Sequence, residues 1–372
     1  MKIQSLKMHP VAVARQYGTV IAKEGGKANR TVEKSFFYFL EVTTDDGLTG
    51  WGEISDVPPE DKPKDAAEYR ELLQAFTRGR SPFEVQQMHH DFREHFDTKN
   101  NALARYTSCA LDMAFYDLQG KKTGRRVCDL LGGAVREDVV VSWVAYIRDE
   151  FDEIREEVRE KLAQGFTAFK LKVGVDIDLD ERRLAITREL AGPEVSIKVD
   201  ANEGWSVDEA PRNIRRLNKY KLAGVETPVP REDPKDIAAV RRQVDVPILE
   251  HVSTLDYGLA LLKADAVDVF NVATTGADGL WGARQIVTLA QAGDIGVLLG
   301  STVEMGPGTL AQLHLAATVP NLTLPSDLIG PGMYRQDVLK KPLAYRDGKL
   351  HVPHGVGLGG DIDRKKLTAL AF

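Results

Sequence analysis

The chain has 372 residues, 43% of them hydrophobic and 28% charged, with a formal net charge of −6. That length accommodates one large domain plus a smaller one, and the acidic balance without a basic block argues against a nucleic-acid or anionic-membrane partner. Two cysteines, Cys109 and Cys128, are too few for a disulfide framework; with no apolar leader and no membrane-length run, the expected setting is a reducing cytoplasm.

Residues 1–57 read as β-rich. The apolar run 36–42, the turn Asp45-Asp46-Gly47 and the run LTGWGEI predict a hairpin. Between the early strands, residues 18–31 are rich in Gly and Lys without periodicity, which predicts a loop. A proline-rich turn at 56–65 precedes helical patterns at 66–77, 82–96 and 103–123. Ser81-Pro82 resembles the start of the second of these. His89 and His90 in it read as surface residues. Residues 1–133 are therefore expected to form an α+β domain.

From Val139 the rhythm changes. Eight apolar runs alternate with polar helical stretches: 139–147, 168–174, 195–202, 223–229, 246–252, 267–273, 296–302 and 322–328. This predicts a (β/α)8-type barrel over 134–330, in preference to an open doubly wound sheet, because no GxGxxG follows an early strand. Residues 331–372 look like a hairpin and a glycine-rich loop returning to the first domain, completing it.

In a barrel the site lies at the C-terminal ends of the strands. Strand side chains alternate, so Lys170 and Lys172 share one face, as do Asp200 and Asn202. Asp200 and Glu226, late in successive strands, either hold a hard cation with a third ligand from the next strand or form salt bridges to the lysines. Two neighbouring ammonium groups disfavour double protonation, lowering a lysine pKa towards the range of a general base.

These motifs together, Lys170-x-Lys172, VDANEGW with Asp200 and VETP with Glu226, resemble the enolase superfamily, and within it the mandelate racemase and muconate lactonizing enzyme family. The resemblance covers nearly the whole chain, including ALDMAFYDLQGKKTG in the first domain and VGLG in the tail. It implies removal of a proton α to a carboxylate, assisted by Mg²⁺ (or Mn²⁺) as Lewis acid. Lys172 would be the base, with Lys170 tuning it and contacting the substrate carboxylate. Asn202 would contact the substrate or support the ligands. A small-molecule carboxylate and a homo-oligomer are the implied partners.

The departures narrow the chemistry. Where the family has Asp-Glu after a Pro-Ile pair on the fifth strand, this chain has His251 and Val252. The spacing from Pro247 makes His251 the third ligand; Glu250 is the alternative, since Mg²⁺ prefers oxygen. Adjacent strand residues face opposite ways, so only one can point inward. Ala273 stands where the lactonizing branch has a lysine, and Thr302 where the racemase branch has a histidine. Joint loss of that lysine and its glutamate partner leaves no unpaired buried charge.

Without a second acid/base, one-base cycloisomerase or dehydratase chemistry is expected. The alternatives are a racemase or epimerase of the same family, a degenerate barrel binding a small acid, and a lysine Schiff-base enzyme. Glu304 aligns with a glutamate of the lactonizing relatives, and Thr302 and Glu304 are expected at the substrate. Lys23 and Lys27 in the 18–31 loop are candidate contacts for a second anionic group.

Overall fold

The first 54 residues build a three-stranded antiparallel sheet. Its strands are Ile3–Thr19, Val32–Thr44 and Thr49–Ile54, the middle one paired to both others. The expected hairpin is there, with Tyr38 opposite Ile54 and Thr43 opposite Thr49. The computed structural model describes all of residues 1–372. Helices Ala66–Thr77 and Ala102–Thr123 follow the predicted spans, and Asp65 and Asn101 cap their first turns with side-chain oxygens. The second helix begins later than expected, at Val85. Ser81-Pro82 instead enters a turn closed by Glu84 N–H to Ser81 O. His89 is a correction to the sequence reading: it is buried, with Nδ1 3.0 Å from Ser108 Oγ and Nε2 2.9 Å from Asp112 Oδ2.

Seven parallel strands follow: Trp143–Ala145, Ala168–Lys172, Ser196–Asp200, Gly224–Glu226, Ile248–His251, Val269–Val272 and Gly296–Leu299. Each pairs with the next in sequence order, and between successive strands the chain returns through a helix. The eighth expected strand is an extended segment without regular ladder pairing. It still closes the ring: Val297 bridges Leu322, and Val141 bridges Ser326. Pro325 has no N–H to give to a ladder, which accounts for the irregularity.

The 18–31 stretch is a small hairpin, Ala22–Lys23 against Lys27–Ala28. It lies over the ends of the second and third barrel strands: a Cβ on Gly26 would stand 3.4 Å from Gly174 O and Gly204 O. In the tail, Lys349–His351 pairs antiparallel with Asp138–Val140 ahead of the barrel. The last helix, Arg364–Ala369, rejoins the first sheet through Ala12 N–H to Leu370 O and Arg364 to Glu41. One continuous cluster of buried apolar side chains runs from Ile3 through the barrel to Leu367, so cap, barrel and tail share a core. No helix is long and apolar enough to cross a membrane.

Candidate active site and metal centre

Strand register sets the site. Lys172 pairs with Asp200 and Asp200 with Glu226, which puts one lysine and two carboxylates at one level of the barrel wall. Lys170 pairs with Lys198 one level below. Deeper still, Leu249, Val269, Leu298 and Leu324 form a small apolar plug inside the ring. The polar groups therefore stand on a dry floor, where charge interactions are strong and unpaired charge is costly.

Asp200, Glu226 and His251 converge, each offering one donor atom, all within 4.8 Å of one another. Both carboxylates are fully buried. His251 Nε2 is 2.8 Å from Glu226 Oε1, and Asn271 Nδ2 donates to the same oxygen at 2.8 Å. Two buried carboxylates and an imidazole facing one another are a donor set for a divalent cation. Glu250 faces the other way, as alternation requires. Its Oε1 accepts from Thr227 Oγ1 at 3.0 Å and from His251 N–H at 2.8 Å, and burial pushes its pKa up to about 8.

The lysines are held by the same carboxylates. Lys172 Nζ donates to Asp200 Oδ2 at 2.6 Å. Lys170 Nζ lies 2.7 Å from Asp327 Oδ2, 3.2 Å from Glu226 Oε2 and 3.5 Å from Asp200 Oδ2. Burial alone would lower the Lys170 pKa, but Asp327, Glu226 and Asp200 hold it well above its ordinary value. Of the two lysines expected to disfavour double protonation, Lys170 is a fixed cation. The Glu226 carboxyl, against the cost of its burial, is held well below the usual range by Lys170 and His251.

The remaining candidates sit as follows. Asn202, with φ of 45°, donates its N–H to Asp200 Oδ1 at 2.9 Å, and its buried side-chain oxygen has no protein partner. Glu304 is buried and accepts from Ser301 Oγ, Thr275 Oγ1, Thr302 N–H and Thr302 Oγ1. Thr302 is half-buried beside it. Ala273 and Val252 are buried and apolar. Lys23 and Lys27 are exposed on the small hairpin.

Four residues escaped the sequence reading. Asp327, from the irregular eighth segment, bridges Lys170 and Lys198, whose Nζ lies 2.8 Å from Asp327 Oδ1. Lys198 stands two residues before Asp200, a signal that was available. Asn271, two residues before Ala273, offered the same signal. Tyr146 continues the alternation from Val144, which pairs with Lys170, so it belongs to the inward face next to Lys172.

Sequence profiles agree with this architecture. Residues 18–132 match the mandelate racemase and muconate lactonizing enzyme N-terminal domain, and residues 153–366 match the enolase C-terminal domain-like family. The chain belongs to this family of the enolase superfamily, and it is an enolase-superfamily enzyme with Asp200, Glu226 and His251 as its metal site. It is 27% identical over 352 residues to muconate cycloisomerase 1 of Acinetobacter baylyi, covering 91% of this chain and 93% of the relative. It is 30% identical over 298 residues to a hydrophobic dipeptide epimerase of Enterococcus faecalis, covering 79% and 82%. The structure of 2-chloromuconate cycloisomerase from Rhodococcus opacus superposes with a TM-score of 0.90 at 25% identity, covering 100% of both chains.

Proposed function

We propose that this protein removes or delivers the proton α to the carboxylate of a small acid, with Lys172 as its single acid/base, in cycloisomerase or dehydratase chemistry. One observation carries the reading. Lys172 stands 2.6 Å from a carboxylate of the metal site, while the opposite wall holds Ala273, which has no proton to exchange.

The roles of the other residues follow from their contacts. Lys170, kept cationic by three carboxylates, receives the substrate carboxylate. Asp200, Glu226 and His251 would hold a divalent cation, Mg²⁺ or Mn²⁺, which would supply Lewis-acid stabilisation of charge developing on the substrate. Tyr146, Asn202 and Thr302 border the space in which the substrate lies. Glu304 keeps Thr302 in place, and Lys23 and Lys27 lie on the hairpin over the mouth, within a protein that acts in the cytoplasm. In the lactonizing direction the Lys172 ammonium gives its proton to the α-carbon. In the dehydrating direction neutral Lys172 takes the α-proton, and the C–H electrons form a carbon–carbon double bond as the β-carbon–oxygen bond breaks. The resulting ammonium returns the proton to the oxygen leaving from the same face, which departs as water.

An epimerase is the second reading, favoured by the dipeptide epimerase relative. It needs a proton donor on the face that Ala273 occupies.

The test is exchange in D₂O with a panel of muconates, hydroxy acids and dipeptides, read by mass spectrometry. Lys172→Ala is expected to slow exchange or turnover by about 10²–10⁴-fold, the usual share of a general acid/base. Exchange that survives this change would remove Lys172 from the mechanism. Inversion at the α-carbon with solvent deuterium retained would replace the one-base reading by the epimerase.

A further inference from the structure

The donor set differs in kind from one made of oxygen alone. Mg²⁺ is a hard ion that takes oxygen ligands and dehydrates reluctantly, and most of its attraction to a protein site is coulombic. Here the third donor is a neutral imidazole nitrogen, so the three ligands carry two negative charges. Imidazole suits first-row transition dications, whose affinity for nitrogen rises along the series from Mn²⁺.

The chain has no simple way back to an all-oxygen set. Glu250, the neighbouring carboxylate, is turned to the outer side of the strand, with Oε1 engaged by Thr227 and by the His251 N–H. Bringing it inward would turn His251 out and reverse the facing of the strand end. His251 turns its Nε2 towards the centre. Nε2 faces Glu226 Oε1 at 2.8 Å and Asn271 Nδ2 at 3.4 Å.

From this geometry we infer that His251 makes the centre selective for a first-row transition dication, with Mn²⁺ as probe, over Mg²⁺. The inference deepens the proposed function, since it rests on the same triad serving as the metal centre.

The experiment uses the full chain stripped of metal with EDTA. Calorimetric titration with MgCl₂ and with MnCl₂ gives the ratio of the two dissociation constants for the wild type, His251→Asp and Asp200→Asn. Pulsed EPR of the Mn²⁺-loaded wild type reads nitrogen coupling to the ion directly, and does not depend on any variant folding. The expected result is a nitrogen modulation in the wild type and a preference for Mn²⁺ that falls by about tenfold or more in His251→Asp. An unchanged ratio in His251→Asp, or bound Mn²⁺ without nitrogen coupling, would overturn the selectivity. If Mn²⁺ binding is lost in Asp200→Asn but Mn²⁺ bound to the wild type shows no nitrogen coupling, the metal centre stands and only the selectivity falls. If Asp200→Asn leaves both ions bound as in the wild type, the centre itself falls, and the proposed chemistry with it.

Discussion

Asp327 holds two lysines at once: its Oδ2 is 2.7 Å from Lys170 Nζ and its Oδ1 is 2.8 Å from Lys198 Nζ. All three side chains are buried. Removing the shared anion leaves Lys198 with only the Pro325 carbonyl as partner. Breaking a buried pair from one side costs about 3–5 kcal/mol, whereas replacing both partners with apolar groups is far cheaper. Asp327→Ala is therefore expected to destabilise by that order in urea unfolding, and Lys198→Met in the same chain to restore most of the loss. Additive losses in the double variant would show that the pair does not act as a unit.

Asn271 orients Glu226 through its 2.8 Å hydrogen bond, and Gly300 leaves room for it: a Cβ there would stand 2.1 Å from Asn271 Oδ1. Groups that orient metal ligands typically contribute about 10–100-fold to metal affinity. Asn271→Ala and Gly300→Ala are both expected to weaken Mn²⁺ binding in that range by calorimetry. Unaltered affinity in Asn271→Ala would mean that Glu226 keeps its position without this contact.

The cap is seated on its long helix through glycine. A Cβ on Gly52 would come within 1.9 Å of Ala110 O in the middle of helix Ala102–Thr123. That neighbour is backbone and cannot rotate away, so the helix must shift. Gly52→Ala is expected to cost about 1–3 kcal/mol or more by overpacking, read as a lower midpoint of denaturation at unchanged slope.

His314 gives the fold an acid limit that is independent of the site. Its Nδ1 accepts from Cys128 N–H at 3.3 Å and its Nε2 faces Leu358 O at 3.2 Å, which fits the neutral ring with its proton on Nε2. Burial pushes its pKa down from 6.5 to about 4. The unfolded chain therefore binds the extra proton first as the pH falls, so this contribution is complete above about pH 6.5 and is lost between there and about pH 4. At about 1.36 kcal/mol per pH unit the loss is on the order of 3 kcal/mol. His314→Asn, which keeps an acceptor near Cys128 N–H, is expected to flatten that part of the stability-versus-pH curve. An identical slope in the variant would place the acid sensitivity elsewhere.

Much of the site was legible in the sequence because strand alternation is a local property. The spacing in Lys170-x-Lys172 fixed a shared face, and Asp200, Glu226 and His251, each late in its run, were bound to reach the same rim of a parallel barrel. Alternation allowed only one of His251 and Glu250 to point inward, and the spacing from Pro247 favoured His251. His89 was misread because a helical histidine among polar residues carries no local mark of burial. Its partners, Ser108 and Asp112, lie on another helix. The helix start at Val85 was misplaced because Ser81-Pro82 is as compatible with a turn as with a first helical turn.

What the sequence determined by itself is the set of elements, the faces their side chains take and the chemical kinds of group brought to the rim. Periodicity and covalent geometry dictate these within a few residues. Tertiary structure alone decided which charge meets which. Closing the ring carries Asp327 from the irregular eighth segment back to Lys170 and Lys198, and that contact, which no local pattern in the sequence signals, keeps Lys170 cationic. A coulombic shift depends on distances across the barrel, and chain closure sets those distances.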